Sequence, residues 1–365
     1  MIMNPNWKDF LRSEQACFET DTQISFPAVT DQHNQRIYPL AHLAVLTVSG
    51  KDAASFLQGQ ITCNIHDLSE IKSSMGALCN PKGRAIATFL LIKTGSAFLM
   101  VLPVELLQTV KKRLSLYILR SDVVLTDSSD ELCLIGLSTT APVHRPPFSG
   151  GVAPCAPEGI PPASLQSSAP ESATGALFST SQQDVITVYL GHRRLIAASP
   201  EQAVALWTER TRHGYQPANS AHWRYLDIVS GLPWLTTETS EAFIPQTLNL
   251  DKLGGISFNK GCYTGQEVIA RMHYLGKAKK AMFLAECSTP DIPAPNSIII
   301  DDNLINDSAP SGAEPEQTAG RVLLAERQGA SCKLLIVIQI SDTGAYRLRL
   351  ADQHKLTILT ETDKE

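Results

Sequence analysis

No apolar run of about eighteen residues occurs in the sequence, so it offers no candidate membrane-spanning helix. The segment Met1 to Phe18 carries charges where a secretory signal needs an unbroken apolar stretch, and the expectation is a soluble, cytoplasmic protein. Among eight cysteines, at positions 17, 63, 79, 133, 155, 262, 287 and 332, there is no C-x-x-C pair. That argues against a disulfide framework and against a thiolate metal site. Excess positive charge is missing too: the formal net charge is −5, which excludes nucleic-acid binding by bulk electrostatics and leaves room only for a local RNA contact. Nor does a glycine-rich phosphate loop interrupt any strand-to-helix junction.

What is present is a globular composition, 43% apolar and 18% charged, in a chain of 365 residues, too long for a single ordinary core. LAVLTVSG at Leu43 to Gly50 reads as a strand, KDAASFLQGQIT as a helix start, and RAIATFLLI with AFLMVL as a hairpin around Thr94 and Gly95. PVELLQTVKKRLSLYIL then opens on a proline where a helix tolerates it best, and VVLT and CLIGL follow as strands. DVITVYLG and RRLIAAS form a second strand pair, before helices from Pro200 to about Arg212 and across HWRYLDIVSG. Short strands in MFLAEC, GRVLLAE, CKLLIVIQI, YRLRL and KLTIL, with a polar Asp301 to Thr318 insertion among them, have the pattern of a small β-barrel. This order predicts an α+β fold with mostly antiparallel sheets. The expected division is a first α+β domain over 1–137, a Pro/Ser/Ala-rich flexible insertion over 138–182, a second α+β domain over 183–280 and a C-terminal barrel over 281–365.

The chemistry concentrates in FIPQTLNLDKLGGISFNKGCYTGQEVIARMHYLGKAKKAMF. Thr264 and Glu267 match the spacing of a capping box, which predicts a helix from about Gly265 to His273 with Cys262 just before it. A helix N-terminus and the nearby Lys260 both favour a thiolate at Cys262. Gly261 and Gly265 would allow unusual backbone conformations and close approach of a partner. The same residues also suit a tight turn with a cysteine filling a small pocket. Lys260, Arg271, Lys277, Lys279 and Lys280 gather positive charge here, either as a solvated face or as a local RNA contact.

KGCYTGQE, from Lys260 to Glu267, resembles the K-G-C-Y-x-G-Q-E core of the YgfZ-type folate-binding proteins, relatives of the aminomethyltransferase (T-protein) of glycine cleavage. FIPQ and GGISF upstream, HWRYLDIVSGLPW and DAASFLQGQIT extend the likeness over nearly the whole chain outside 138–182. The resemblance implies two ferredoxin-like antiparallel α+β halves and a β-barrel in a ring-like, three-domain arrangement around a tetrahydrofolate. It further implies Cys262 as a functional thiol with Lys260 beside it, and Trp223, Asp227, Tyr263 and Gln266 as folate-site residues. An indole at 223 could stack on a pterin, or anchor its helix in the core.

Two positions depart from the family pattern. Leu43 stands where some members have a second tryptophan, and Ala87 and Thr88 stand where the aminomethyltransferases place an acidic residue. Without that carboxylate the resemblance implies a folate-using accessory protein of iron–sulfur cluster assembly or repair, serving cluster enzymes that include those modifying tRNA, rather than a stand-alone enzyme. The alternative is a folate-dependent one-carbon (aminomethyl) transferase that has moved its acid to Asp227, one helical turn beyond Trp223.

Overall fold

The computed structural model describes residues 3–27, 35–139, 176–276, 278–304, 318–341 and 344–359. Six α-helices are formed among them: α1 (Pro5–Ser13), α2 (Ala53–Gln58), α3 (Leu107–Ser115), α4 (Pro200–Arg212), α5 (Ser220–Val229) and α6 (Gln266–Leu275). Local chemistry starts α1 and α4. The Asn4 side chain accepts hydrogen bonds from the N–H groups of Asn6 and Trp7, and Ser199 with Gln202 forms a reciprocal capping box ahead of Pro200.

A five-stranded antiparallel sheet runs in the order Ser74–Cys79, Ala85–Thr94, Ala97–Pro103, Leu43–Ser49, Val124–Asp127. Its hairpin turns at Gly95, as the sequence predicts. A six-stranded sheet has the order Thr180–Gln182, Ile186–Leu190, Arg193–Ala198, Cys133–Thr139, Gln35–Pro39, Gln216–Pro217. Its last pairing is parallel and the rest are antiparallel. From Lys280 to Ile358 the strands close into a six-stranded barrel, sealed where Lys280–Cys287 pairs with Lys355–Ile358. The α+β reading with a terminal barrel therefore holds.

The sheets do not follow the chain division expected at residue 138. Gln35–Pro39 and Cys133–Thr139, from the first segment, lie in one sheet with the strands that follow residue 179. Residues 138, 139 and 180–182 of the expected insertion are strand; its 140–175 stretch lies outside the described residues.

Strand alternation sorts the six-stranded sheet's two faces. Ile37, Cys133, Ile135, Leu137, Ile196 and Ala198 face a core built with Trp7 and Leu11 of α1 and Trp207 of α4. Tyr38, Leu134, Leu195 and Ala197 belong to the opposite core, which also takes in the five-stranded sheet, α5 and, through Met282, Leu323, Leu335 and Val337, the outer wall of the barrel. The barrel encloses a third cluster of its own around Val322, Leu334 and Ile336. No helix among the described residues is long and apolar enough to cross a membrane.

Candidate functional site

The Lys260 to Glu267 segment is clamped onto two turns of the five-stranded sheet's domain. Lys260 Nζ donates to the carbonyls of Ile61 and Cys63, both at 2.8 Å. The buried Thr62 between them donates to the Gly255 carbonyl at 2.6 Å, and its own carbonyl accepts from Ser257 N–H at 2.9 Å. Burial lowers the Lys260 pKa to about 8, with Cys63 opposing. Its ammonium lies 5.1 Å from the centroid of the Tyr263 ring, which is buried beneath the loop; burial raises the Tyr263 pKa. Cys63 and Cys79 are buried and their thiols are pushed up to about 12 by that burial. Cys262 is exposed.

The second contact is the turn at 80–83. Gly265 has φ +83°, and a side chain there would begin 2.5 Å from the Asn80 carbonyl oxygen and 2.9 Å from Gly83 Cα. This close approach replaces the expected capping box. Gly265 is the N-cap of α6 in a left-handed conformation, no side chain caps the helix, and α6 begins at Gln266 and runs to Leu275. A side-chain cap at Thr264 would need the helix to start one residue earlier with extended backbone at its cap. A side chain at Gly261, by contrast, would begin with nothing within 4 Å, so the close approach expected there is absent among the described residues. Gln266 is half-buried at the first helical position, its N–H bonded to the Tyr263 carbonyl at 3.1 Å.

Trp223 and Asp227 do lie together on α5, but inside the core. Trp223 has no exposed surface: Tyr38 lies 5.3 Å from it between ring centroids, the Arg193 guanidinium 4.6 Å over the indole, and a side chain at Gly136 would come within 2.5 Å of the ring. No ring face is open to a pterin, which corrects the stacking expectation in favour of the helix anchor. Asp227 accepts from Arg193 at 2.6 Å and from Trp234 Nε1 at 2.9 Å, so each oxygen has a partner. Burial raises its pKa and Arg193 opposes the rise. Trp223 Nε1 is close enough to favour the carboxylate's charge yet outside hydrogen-bond geometry. Thr88 is structural as well, donating to the Pro233 carbonyl at 2.6 Å and accepting from Leu235 N–H at 3.1 Å.

The "tRNA-modifying protein YgfZ" of Colwellia psychrerythraea is 27% identical over 344 residues, 93% of this chain and 96% of that protein. Its namesake from Klebsiella pneumoniae is 30% identical over 250 residues, 68% of this chain and 71% of that one. This chain belongs to the YgfZ family. The Escherichia coli O7:K1 member is 28% identical over the same length, 250 residues. No family model matches the chain. Among solved structures, the glycine cleavage system aminomethyltransferase T from Bartonella henselae superposes with a TM-score of 0.62, over 99% of this chain and 90% of that one. At 12% identity that likeness shows a shared fold.

Two residues of this YgfZ-family chain that the motif reading passed over flank the clamp. Gln246, of FIPQ, donates through Nε2 to the Ile269 carbonyl of α6 at 2.6 Å, and its Oε1 is buried with no partner. Gln60, next to the Ile61 carbonyl that receives Lys260, likewise has a buried, unpartnered Oε1. Buried acceptors of this kind cost free energy until a donor reaches them. The amino and ring N–H groups of a pterin are donors of the kind these two oxygens lack, whereas both oxygens of Asp227 already have theirs. Both lie in segments that carry the family likeness, FIPQ and DAASFLQGQIT, but only the orphaned oxygens single them out within those segments. Among the described residues no group of three or more His, Cys, Asp and Glu is placed to hold a metal ion.

Proposed function

We propose that this YgfZ-family chain is a cytoplasmic, tetrahydrofolate-binding accessory protein that supports iron–sulfur enzymes, including those that modify tRNA. One observation carries the reading: an exposed thiol, Cys262, is presented on a loop pinned by Lys260, between two turns whose flanks hold unpartnered acceptors at Gln60 and Gln246. Exposed thiols are ligands for iron and nucleophiles toward sulfur, whereas the buried Cys63 and Cys79 are held as neutral thiols. Bound tetrahydrofolate would supply one-carbon or reducing chemistry beside that thiol. Aminomethyl transfer receives no support from Asp227, whose oxygens are committed to Arg193 and Trp234.

Calorimetric titration with tetrahydrofolate tests the ligand, and a deletion strain tests the thiol. Gln246→Leu is expected to weaken tetrahydrofolate binding about tenfold or more, the effect of losing one buried hydrogen bond. Cys262→Ala should bind tetrahydrofolate like wild type, yet fail to restore iron–sulfur enzyme activity and thiolated tRNA nucleosides. A wild-type protein that does not bind tetrahydrofolate, or full restoration by Cys262→Ala, overturns the proposal.

A further inference from the structure

At its C-terminal end α6 leaves the clamp and carries side chains that the folate reading does not use. His273 stacks on Phe258 with ring centroids 3.7 Å apart and planes 13° from parallel, and Tyr274 meets His273 edge-on at 4.8 Å. Tyr274 is 64% exposed and Leu275 85%. Aromatic side chains of this size are ordinarily covered, and an organised, uncovered ring cluster is a platform for another flat group. Arg271 lies one helical turn before Tyr274 and Leu275, on their side of the helix. Lys279 and Lys280 follow at the start of the first barrel strand, where Ile340 N–H bonds the Lys279 carbonyl at 2.9 Å and fixes the backbone. All three cations are exposed. None of the described acidic side chains forms an ion pair with them. On a chain with a net charge of −5, these three exposed cations lie within a few residues of the stacked rings along the chain.

We infer that this end of α6 is a binding surface for single-stranded RNA: an unpaired base stacks on the His273 and Tyr274 rings while Arg271, Lys279 and Lys280 neutralise the adjoining phosphates. Charge complementarity selects RNA over a protein partner. Unpaired cations beside flat rings match a ligand that alternates phosphates and bases, and a duplex hides the base faces this platform would use. The inference extends the tRNA part of the proposed function and rests on it.

Fluorescence anisotropy with a labelled single-stranded oligoribonucleotide of about twelve nucleotides tests the surface, with a duplex of the same length and tetrahydrofolate titrated in parallel. The wild-type chain should prefer the single strand. Three phosphate contacts give a slope of about −2 for log K against log salt, or roughly a twentyfold loss of affinity from 50 to 200 mM. Replacing both rings, His273→Ala with Tyr274→Ala, should weaken RNA binding about tenfold or more without changing that slope. Arg271→Gln should make the slope shallower by about 0.7. These residues are exposed, so tetrahydrofolate binding by the variants, expected at the wild-type level, verifies their folding. Absence of RNA binding at 50 mM salt, salt-independent binding, equal affinity for duplex, or indifference to the ring substitutions overturns the inference, including the case where the same substitutions abolish capture of a protein partner instead. Tetrahydrofolate binding without RNA binding sinks this surface alone; RNA binding without tetrahydrofolate binding sinks the folate reading alone.

Discussion

Lys260 directs its ammonium at two backbone carbonyls instead of a carboxylate, and this makes its charge a burden on the fold. Carbonyl dipoles return only part of the hydration that a half-buried cation gives up, which is why burial lowers its pKa from 10.5 to about 8. Between those two values the unfolded chain holds more protons than the folded one, so unfolding free energy rises with pH across that window. The gain is complete above the unfolded value and is lost as pH falls through about 8. A neutral amine keeps two N–H donors, enough for both carbonyls, so the clamp survives deprotonation. Urea unfolding of wild type and Lys260→Met at pH 7.5 and pH 10 should therefore show the difference between them shifting in favour of wild type at the higher pH. A difference that stays constant, or moves the other way, would mean that the burial of this ammonium is already compensated.

At the scale of the element, α6 shows what a motif does and does not encode. Its existence, its length and its place after Cys262 are legible, because apolar spacing and glycine punctuation are local properties. The capping box is not, because its absence is decided by a turn nearly two hundred residues upstream: Asn80 and Gly83 come so close that position 265 must be left-handed and bare. The two motif glycines consequently separate. Gly265→Ala forces a left-handed alanine and a contact of 2.5 Å with the Asn80 carbonyl, and should cost about 2 kcal/mol or more in denaturant unfolding. Gly261→Ala meets nothing and should stay within about 0.5 kcal/mol of wild type. Equal effects at the two sites would mean that the 80–83 turn does not set the start of the helix. Helix α5 makes the same point. Trp223 and Asp227 share a face, as their spacing requires, but that the face looks inward depends on Arg193 and Gly136, on two other strands of the six-stranded sheet.

Across the whole molecule, most of the longer strand runs are readable in sequence, but Gln35–Pro39, Ser74–Cys79 and Ile298–Asp301 are not, and neither is the sheet to which each run belongs. CLIGL follows VVLT closely along the chain, yet the two enter different sheets, a choice made by long-range pairing. The result is a core continuous from the five-stranded sheet, past α5, to the barrel wall. One polar contact reinforces that junction: Arg224 of α5 donates through Nε to Glu326 of the barrel at 2.8 Å, where the Glu326 side chain is 8% exposed and that of Arg224 is 30% exposed. Arg224→Met leaves a buried carboxylate without its cation, and with partial solvent access on the arginine side the loss should be about 2 kcal/mol. The four tryptophans, Trp7, Trp207, Trp223 and Trp234, all lie outside the barrel, so their fluorescence follows the α+β body. Far-UV circular dichroism follows the barrel strands as well. If the shared core couples the two, both signals should unfold at one midpoint in wild type and shift together in Arg224→Met. Coincidence lost in the variant would assign the coupling to this ion pair; coincidence lost already in wild type would show that the apolar junction between α5 and the barrel does not unite them.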